Sequence, residues 1–200
     1  MKNKKIVFLA EAAVMLALAT TLSFVKIYEA PLGGAVTLAS MLPIMYISFR
    51  HGVLKGLACS FVYSVIQLIL GLSYLAYFPS PVGVIGCIML DYIVPFTMLG
   101  FAGVFYRKNA KASVRIVGAV CGVVLACALR FACHYFGGVV LWYEITKEQD
   151  WNAYVHTVGK WLYSFVYNIS YFGPDAAIVI ALSPSIPFLD DSLKKALNKA

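Results

Sequence analysis

The sequence predicts an all-α integral membrane protein of six transmembrane helices, with both termini on the cytoplasmic side. Three observations predict it. Hydrophobic residues make up 62 % of the 200-residue chain and charged residues only 12 %, about half the charged share of an ordinary soluble domain. Mean hydropathy is +0.83. The apolar residues fall into runs close to the roughly 20 residues a spanning helix needs, and Lys and Arg gather in every second connection, as the positive-inside rule requires.

The first span is expected over about 6–25. Lys2, Lys4 and Lys5 precede it as in a signal peptide, but the run is of span length, contains Glu11 and has no small-residue cleavage site. A loop with Lys26, Glu29, Pro31, Gly33 and Gly34 leads to a short second span, about 35–49, with Pro43 inside. Arg50, His51, Gly52 and Lys55 mark a basic turn before the third span, about 53–72. A charge-free stretch follows, and the fourth span covers about 84–106. A basic turn with Arg107, Lys108, Lys111 and Arg115 opens the fifth span, about 114–143. A polar loop with Glu144, Lys147, Glu148 and Asp150 precedes the sixth, about 158–182. Six spans and short loops nearly exhaust the chain, so residues 1–200 form a single membrane domain.

Several function classes are excluded. The net charge of +7 does not mark a nucleic-acid binder, because the basic residues sit at the ends of apolar runs and form no continuous stripe. The five cysteines lie within apolar segments without a CxxC pair, which is small-residue packing rather than a disulfide or metal framework. The HExxH, GxSxG and phosphate-loop motifs are lacking. No catalytic residue, metal or cofactor is therefore expected.

An ionisable group inside a span costs about 2.5–3.5 kcal/mol on insertion scales, so it faces a cavity or a partner. Glu11, Asp91, Arg130 and Asp175 are such groups. In the fifth span Arg130, His134, Gly138 and Trp142 recur every four residues. Steps of four stack along one helix face with a slow drift, so the stripe displays a cation, a switchable donor, a gap and an aromatic platform. Asp91-Tyr92 opens the fourth span with a carboxylate and a phenol. Tyr163 and Tyr167 share a face of the sixth span, with Asn168 beside them offering donor and acceptor. Tyr63 and Tyr74 can wall the same cavity. One acid, aromatic faces and amide or imidazole groups suit a flat, nitrogen-rich cation. On the first span, Ala13 and Ala17 are small residues at the spacing that lets another helix approach closely.

These elements, in this order, resemble the thiamine-specific substrate-binding (S) component of energy-coupling factor (ECF) transporters. The likeness covers almost the whole chain: Glu11 with Ala13 and Ala17, Gly33-Gly34 leading to Leu42-Pro43, Ser48-Phe49-Arg50-His51-Gly52, Gly71 with Tyr74, Leu90-Asp91-Tyr92 with Pro95, the Arg130 to Trp142 stripe, and Tyr163-Ser164 with Asn168. The resemblance implies the six-helix S-component fold and a Gram-positive cell membrane. It also implies thiamine bound from outside beneath the first outer loop, by Asp91, Tyr92, Arg130, His134, Gly138, Trp142, Tyr163, Asn168, Tyr74 and Tyr63. Uptake would need a transmembrane coupling subunit, met by Ala13 and Ala17, and two cytoplasmic ATPases. Asp91 stands where the family often has Glu, Arg130 where a Lys can occur, Tyr63 where some members have Trp, and Gly34 where some place a Trp lid. Other readings of the residues are an S component for another vitamin or for hydroxymethylpyrimidine, and a membrane enzyme or scaffold.

Overall fold

The structure is a computed structural model and describes residues 4–149 and 152–199; Lys2 and Asp150 lie outside the described residues. Among the described residues, five helices are long and apolar enough, by length and composition, to cross a membrane. They make the chain a multi-pass membrane protein. Its elements are α1 (Lys4–Ser23), a hairpin of β1 (Lys26–Glu29) and β2 (Ala35–Thr37), α2 (Met41–His51), α3 (Val53–Leu70), α4 (Pro81–Gly103), α5 (Ala112–Lys147), α6 (Lys160–Leu182) and α7 (Ile186–Lys199). Short 3₁₀ turns at Leu72–Tyr77 and Ala153–His156 lie in the loops after α3 and α5.

The expected second span is where sequence and structure differ most. Residues 35–37 form a strand paired antiparallel with β1, Tyr28 opposite Val36 and Glu29 opposite Ala35. The helix begins only at Met41. Gly33 and Gly34, with φ of +90° and +87°, make the reversal that side-chain-bearing residues resist, and β-branched Val36 and Thr37 suit a strand. The 11 residues of α2 rise about 16 Å, short of the roughly 30 Å hydrocarbon core. It is nonetheless the heart of the molecule: Met41, Ile44, Met45, Ile47 and Phe49 are buried. Its Ser48 hydroxyl donates to the Gly100 carbonyl (2.6 Å) and accepts from the Gly103 N–H (3.0 Å), locking α2 to α4.

Elsewhere the boundaries shift by a few residues. The fourth helix starts at Pro81 rather than 84, because the Ser80 hydroxyl caps it by accepting from the Gly83 N–H at 3.1 Å. The fifth runs on to Lys147. Two π-helical turns interrupt the helices, at Ile88–Ile93 in α4, whose last residues Met98–Gly103 tighten to a 3₁₀ helix, and at Gly138–Trp142 in α5. Such turns are rare and gather at functional sites.

One end of the bundle is closed by a buried ionic cluster. Arg50 donates to Glu11 of α1 (3.0 and 3.2 Å) and to Asp190 of α7 (2.9 Å). Arg115 of α5 holds Asp191 through two bonds of 2.8 and 2.9 Å. The cluster ties α1, α2, α5 and α7 together and gives Glu11 a structural partner. The other end, beneath the hairpin, is hollow.

Candidate functional site

A cavity of about 240 Å³ lies beneath the hairpin, between α3, α4, α5 and α6. It brings together all ten residues that the sequence assigns to a binding site. Its polar heart is a chain of four side chains. The Arg130 Nε–H donates to His134 Nε2 at 3.3 Å. That leaves the proton of a neutral imidazole on Nδ1, which faces Asp91 Oδ1 at 3.5 Å. The Trp142 indole N–H donates to Asp91 Oδ2 at 2.7 Å. Asp91 and Trp142 stand on the two π turns, which meet at one wall of the cavity.

The Arg130 guanidinium lies over the Phe96 ring, 4.0 Å from its centroid, and 5.5 Å from that of Phe172. Cation–π contact holds it without a direct carboxylate bond. Trp142 is half-buried and meets Phe78 and Tyr77 edge-on, at centroid distances of 5.0 and 5.9 Å. Tyr63 is fully buried, edge-on to Phe96 at 5.5 Å. Tyr92 turns its hydroxyl away, donating to the Gly71 carbonyl at 3.1 Å, and offers the cavity its ring.

Two expectations take a different form. Gly138 is not an open gap in the stripe. A Cβ there would sit 2.1 Å from Ser164 Oγ and 3.0 Å from Asn168 Nδ2, so α6 packs into the space. Asn168 does not hold a free amide pair towards the cavity. Its Nδ2 donates to the carbonyls of Ser164 (2.9 Å) and His134 (3.3 Å), and its Oδ1 accepts from the Tyr171 hydroxyl at 2.6 Å. Tyr163 is buried, accepts from Asn152 Nδ2 at 3.1 Å and stacks on Tyr167 at 5.9 Å.

The hairpin forms the roof. The Tyr167 hydroxyl accepts from the Leu32 N–H and donates to the Gly33 carbonyl, both at 3.1 Å. The Thr37 N–H and hydroxyl both donate to Asp175 Oδ1 at 2.8 Å, which gives that buried carboxylate its role: it anchors β2 to α6. Gly34 has no room for a side chain, since a Cβ would lie 2.5 Å from the Tyr171 ring. Aromatic cover comes instead from Tyr171 on α6 and from Tyr74, whose ring would lie 3.3 Å from a Cβ on Gly33. Burial, aided by the Glu29 carboxylate, pushes the Tyr74 phenol above its usual range.

Tyr171, Phe96 and Phe172 line the cavity and were missed by sequence reasoning, which singled out Asp175 but gave it no place in the site. For Tyr171 a signal existed, because it continues the four-residue spacing of Tyr163 and Tyr167. Ala13 and Ala17 do not line this cavity; they are exposed on α1, whose Ala12 and Ala19 are buried. Among the described residues no group of His, Cys, Asp and Glu is placed to hold a metal ion.

A roofed cavity lined by the carboxylates of Asp91 and Glu29, by Arg130 and Lys26 and by many rings, inside a multi-pass bundle, marks a membrane protein with room for a small polar molecule. The comparisons specify the kind. The family profile described as thiamine transporter protein (Thia_YuaJ) matches residues 9–195, and the chain belongs to that family. It is 32 % identical over 192 residues to the thiamine transporter ThiT of Bacillus subtilis (strain 168), covering 90 % of this chain and 92 % of that one. It is 23 % identical to ThiT of Lacticaseibacillus paracasei, covering 92 % of each. The solved structure of ThiT from Listeria monocytogenes has the same fold, with a TM-score of 0.70 at 23 % identity over 96 % of this chain and 98 % of that one.

Proposed function

We propose that this chain is a single-domain thiamine-binding S component that captures the vitamin outside the cell and passes it inward with an ECF module. The observation that carries the reading is the Arg130–His134–Asp91–Trp142 chain at the wall of a roofed, aromatic cavity. Asp91 supplies the counter-charge to a cationic ring and Trp142, Tyr92, Tyr74 and Tyr63 supply faces for it. The cavity volume of about 240 Å³ lies near the lower end of small-molecule pockets, roughly 300–1,000 Å³. Tyr163, Asn168, His134, Gly138 and Arg130 complete the binding set.

In this reading the bundle crosses the bilayer six times. The β2–α2 segment serves as the second crossing, and both termini and the ionic cluster lie on the cytoplasmic side. The hairpin then roofs the cavity on the outer side. The exposed Ala13–Ala17 face of α1 receives the transmembrane coupling subunit, and two ATPases in the cytoplasm supply the energy. The host is a Gram-positive bacterium, as the resemblance to the S components implies.

Trp142 provides the test. Adding thiamine to the purified protein quenches tryptophan fluorescence saturably, at submicromolar concentration. Asp91→Asn and Trp142→Ala each weaken binding by roughly 10–100-fold, the loss of one charge-assisted contact or one stacking face. No saturable response to thiamine, with a response to another vitamin, refutes the substrate; unchanged affinity in both variants refutes the pocket.

A further inference from the structure

Asn168 carries a hydrogen-bond polarity that its surroundings impose. Its Nδ2 faces the carbonyl oxygens of Ser164 and His134, at 2.9 and 3.3 Å. Backbone carbonyls only accept, so the NH₂ group must point at them and the amide cannot flip. The Ser164 hydroxyl, 3.2 Å away, already gives its proton to the Tyr135 carbonyl at 2.7 Å and so accepts as well. Oδ1 is therefore the amide's other end, and it only accepts. The Tyr171 hydroxyl, 2.6 Å from it, must donate its single proton there.

What remains on the Tyr171 oxygen is acceptor capacity alone. The neighbouring Tyr167 hydroxyl is spent on the hairpin, accepting from the Leu32 N–H and donating to the Gly33 carbonyl. Tyr171 lines the cavity, and its ring is held in place. It lies under the Gly34 backbone, where a Cβ would come within 2.5 Å, and edge-on to Tyr167 at a centroid distance of 5.9 Å. It cannot swing away while the hairpin is seated.

We propose that Tyr171 is a specificity-determining residue: its oxygen reads an N–H donor on the ligand, and the Asn168–Ser164–His134 array keeps it an acceptor. The chemical class selected is a heteroaromatic ring bearing an exocyclic amino group. An oxo group at the same place would set two acceptors against each other. This rests on the thiamine-binding reading above, in which the aminopyrimidine ring supplies that amino group.

The test compares thiamine with its analogue in which the ring amino group is replaced by oxo, using tryptophan fluorescence on the wild-type chain and on Tyr171→Phe. Wild type binds thiamine roughly 10–100-fold more tightly than the oxo analogue, the usual consequence of facing a buried acceptor with another. In Y171F the ratio falls to about 3-fold or less, because thiamine weakens and the analogue does not. If Tyr171 is only structural, both affinities drop together and the ratio stays at its wild-type value, which overturns the assignment. If Y171F is not recovered folded, the wild type still decides, since equal affinity for the two ligands also overturns it. A wild type that binds neither ligand refutes the function proposed above and this assignment with it. One that binds thiamine without discriminating refutes only the role of Tyr171.

Discussion

Gly138→Ala is expected to destabilise the protein, against the ordinary preference of helices. In a helix, replacing Gly by Ala gains about 0.8–1 kcal/mol from backbone entropy. Here the new methyl would lie 2.1 Å from Ser164 Oγ and 3.0 Å from Ser164 Cβ. The hydroxyl can rotate only by surrendering its 2.7 Å bond to the Tyr135 carbonyl, a loss of about 1 kcal/mol. The Cβ contact remains, so α5 and α6 must part, and overpacking of this kind costs about 1–3 kcal/mol. The balance is a net loss of about 1–3 kcal/mol, or roughly 2–12 °C in thermal midpoint for a chain of this size. Parting the helices also moves Asn168, so thiamine affinity falls with stability. The assay is thermal unfolding of the purified protein in lipid nanodiscs, followed by fluorescence titration. Adding Ser164→Gly removes both offending atoms and restores much of the stability. A Gly138→Ala variant as stable as wild type, or more so, would show that α5 and α6 do not meet as described. A double variant no better than the single one would show that Ser164 is not what the methyl strikes.

Two further outcomes follow from the roof and from α1. Asp175→Ala leaves the buried Thr37 N–H without its acceptor, a cost of about 1–3 kcal/mol. Amide hydrogen exchange then accelerates over residues 35–37, while the ionic cluster at the far end keeps its protection. Equal exchange in wild type and variant would refute the anchoring role. Ala13→Trp with Ala17→Trp fills the outward face of α1 and abolishes copurification with the proposed coupling subunit. Thiamine binding is unchanged, since these residues do not line the cavity; loss of both together would place Ala13 and Ala17 in the binding site.

The site was legible in the sequence where polar residues stood out against an apolar background. Arg130, His134 and Asp91 are costly in a bilayer, and the spacing of Arg130 and His134 with Trp142 identified one face. The hairpin was not legible, because residues 35–49 are apolar enough for a span and their pairing depends on distant residues. Gly33 and Gly34 marked a loop, but that the chain turns back as a strand is decided by Asp175, 138 positions away from Thr37. Asp175 itself looked like an orphan for the same reason. Glu11 stood out as an acid within a span, yet Arg50, which pairs with it and with Asp190, and Asp190 itself come from a turn and a tail that read only as charged ends. Tyr171 was overlooked because tyrosines in an aromatic-rich helix carry no cost that singles one out.

The period-four rule succeeded in α5 for a reason it does not contain. In a regular α-helix each step of four overshoots a full circle by about 40°. From His134 to Trp142 the drift would reach about 80°, enough to turn the indole away from the carboxylate that His134 faces. In the structure both side chains reach Asp91, His134 at 3.5 Å and Trp142 at 2.7 Å. The π turn at Gly138–Trp142 accounts for this. Its i→i+5 bonding puts an extra residue into the turn, which reduces the rotation per residue and returns Trp142 towards the face of His134. Asp91 stands on a matching π turn in α4, so both partners are set by local departures from the regular helix. Gly138 lets the widened turn pack closely against Ser164 and Asn168. The stripe works as a binding face because the helix carrying it is locally irregular, and the glycine that reads as a gap in the sequence is where that irregularity meets α6.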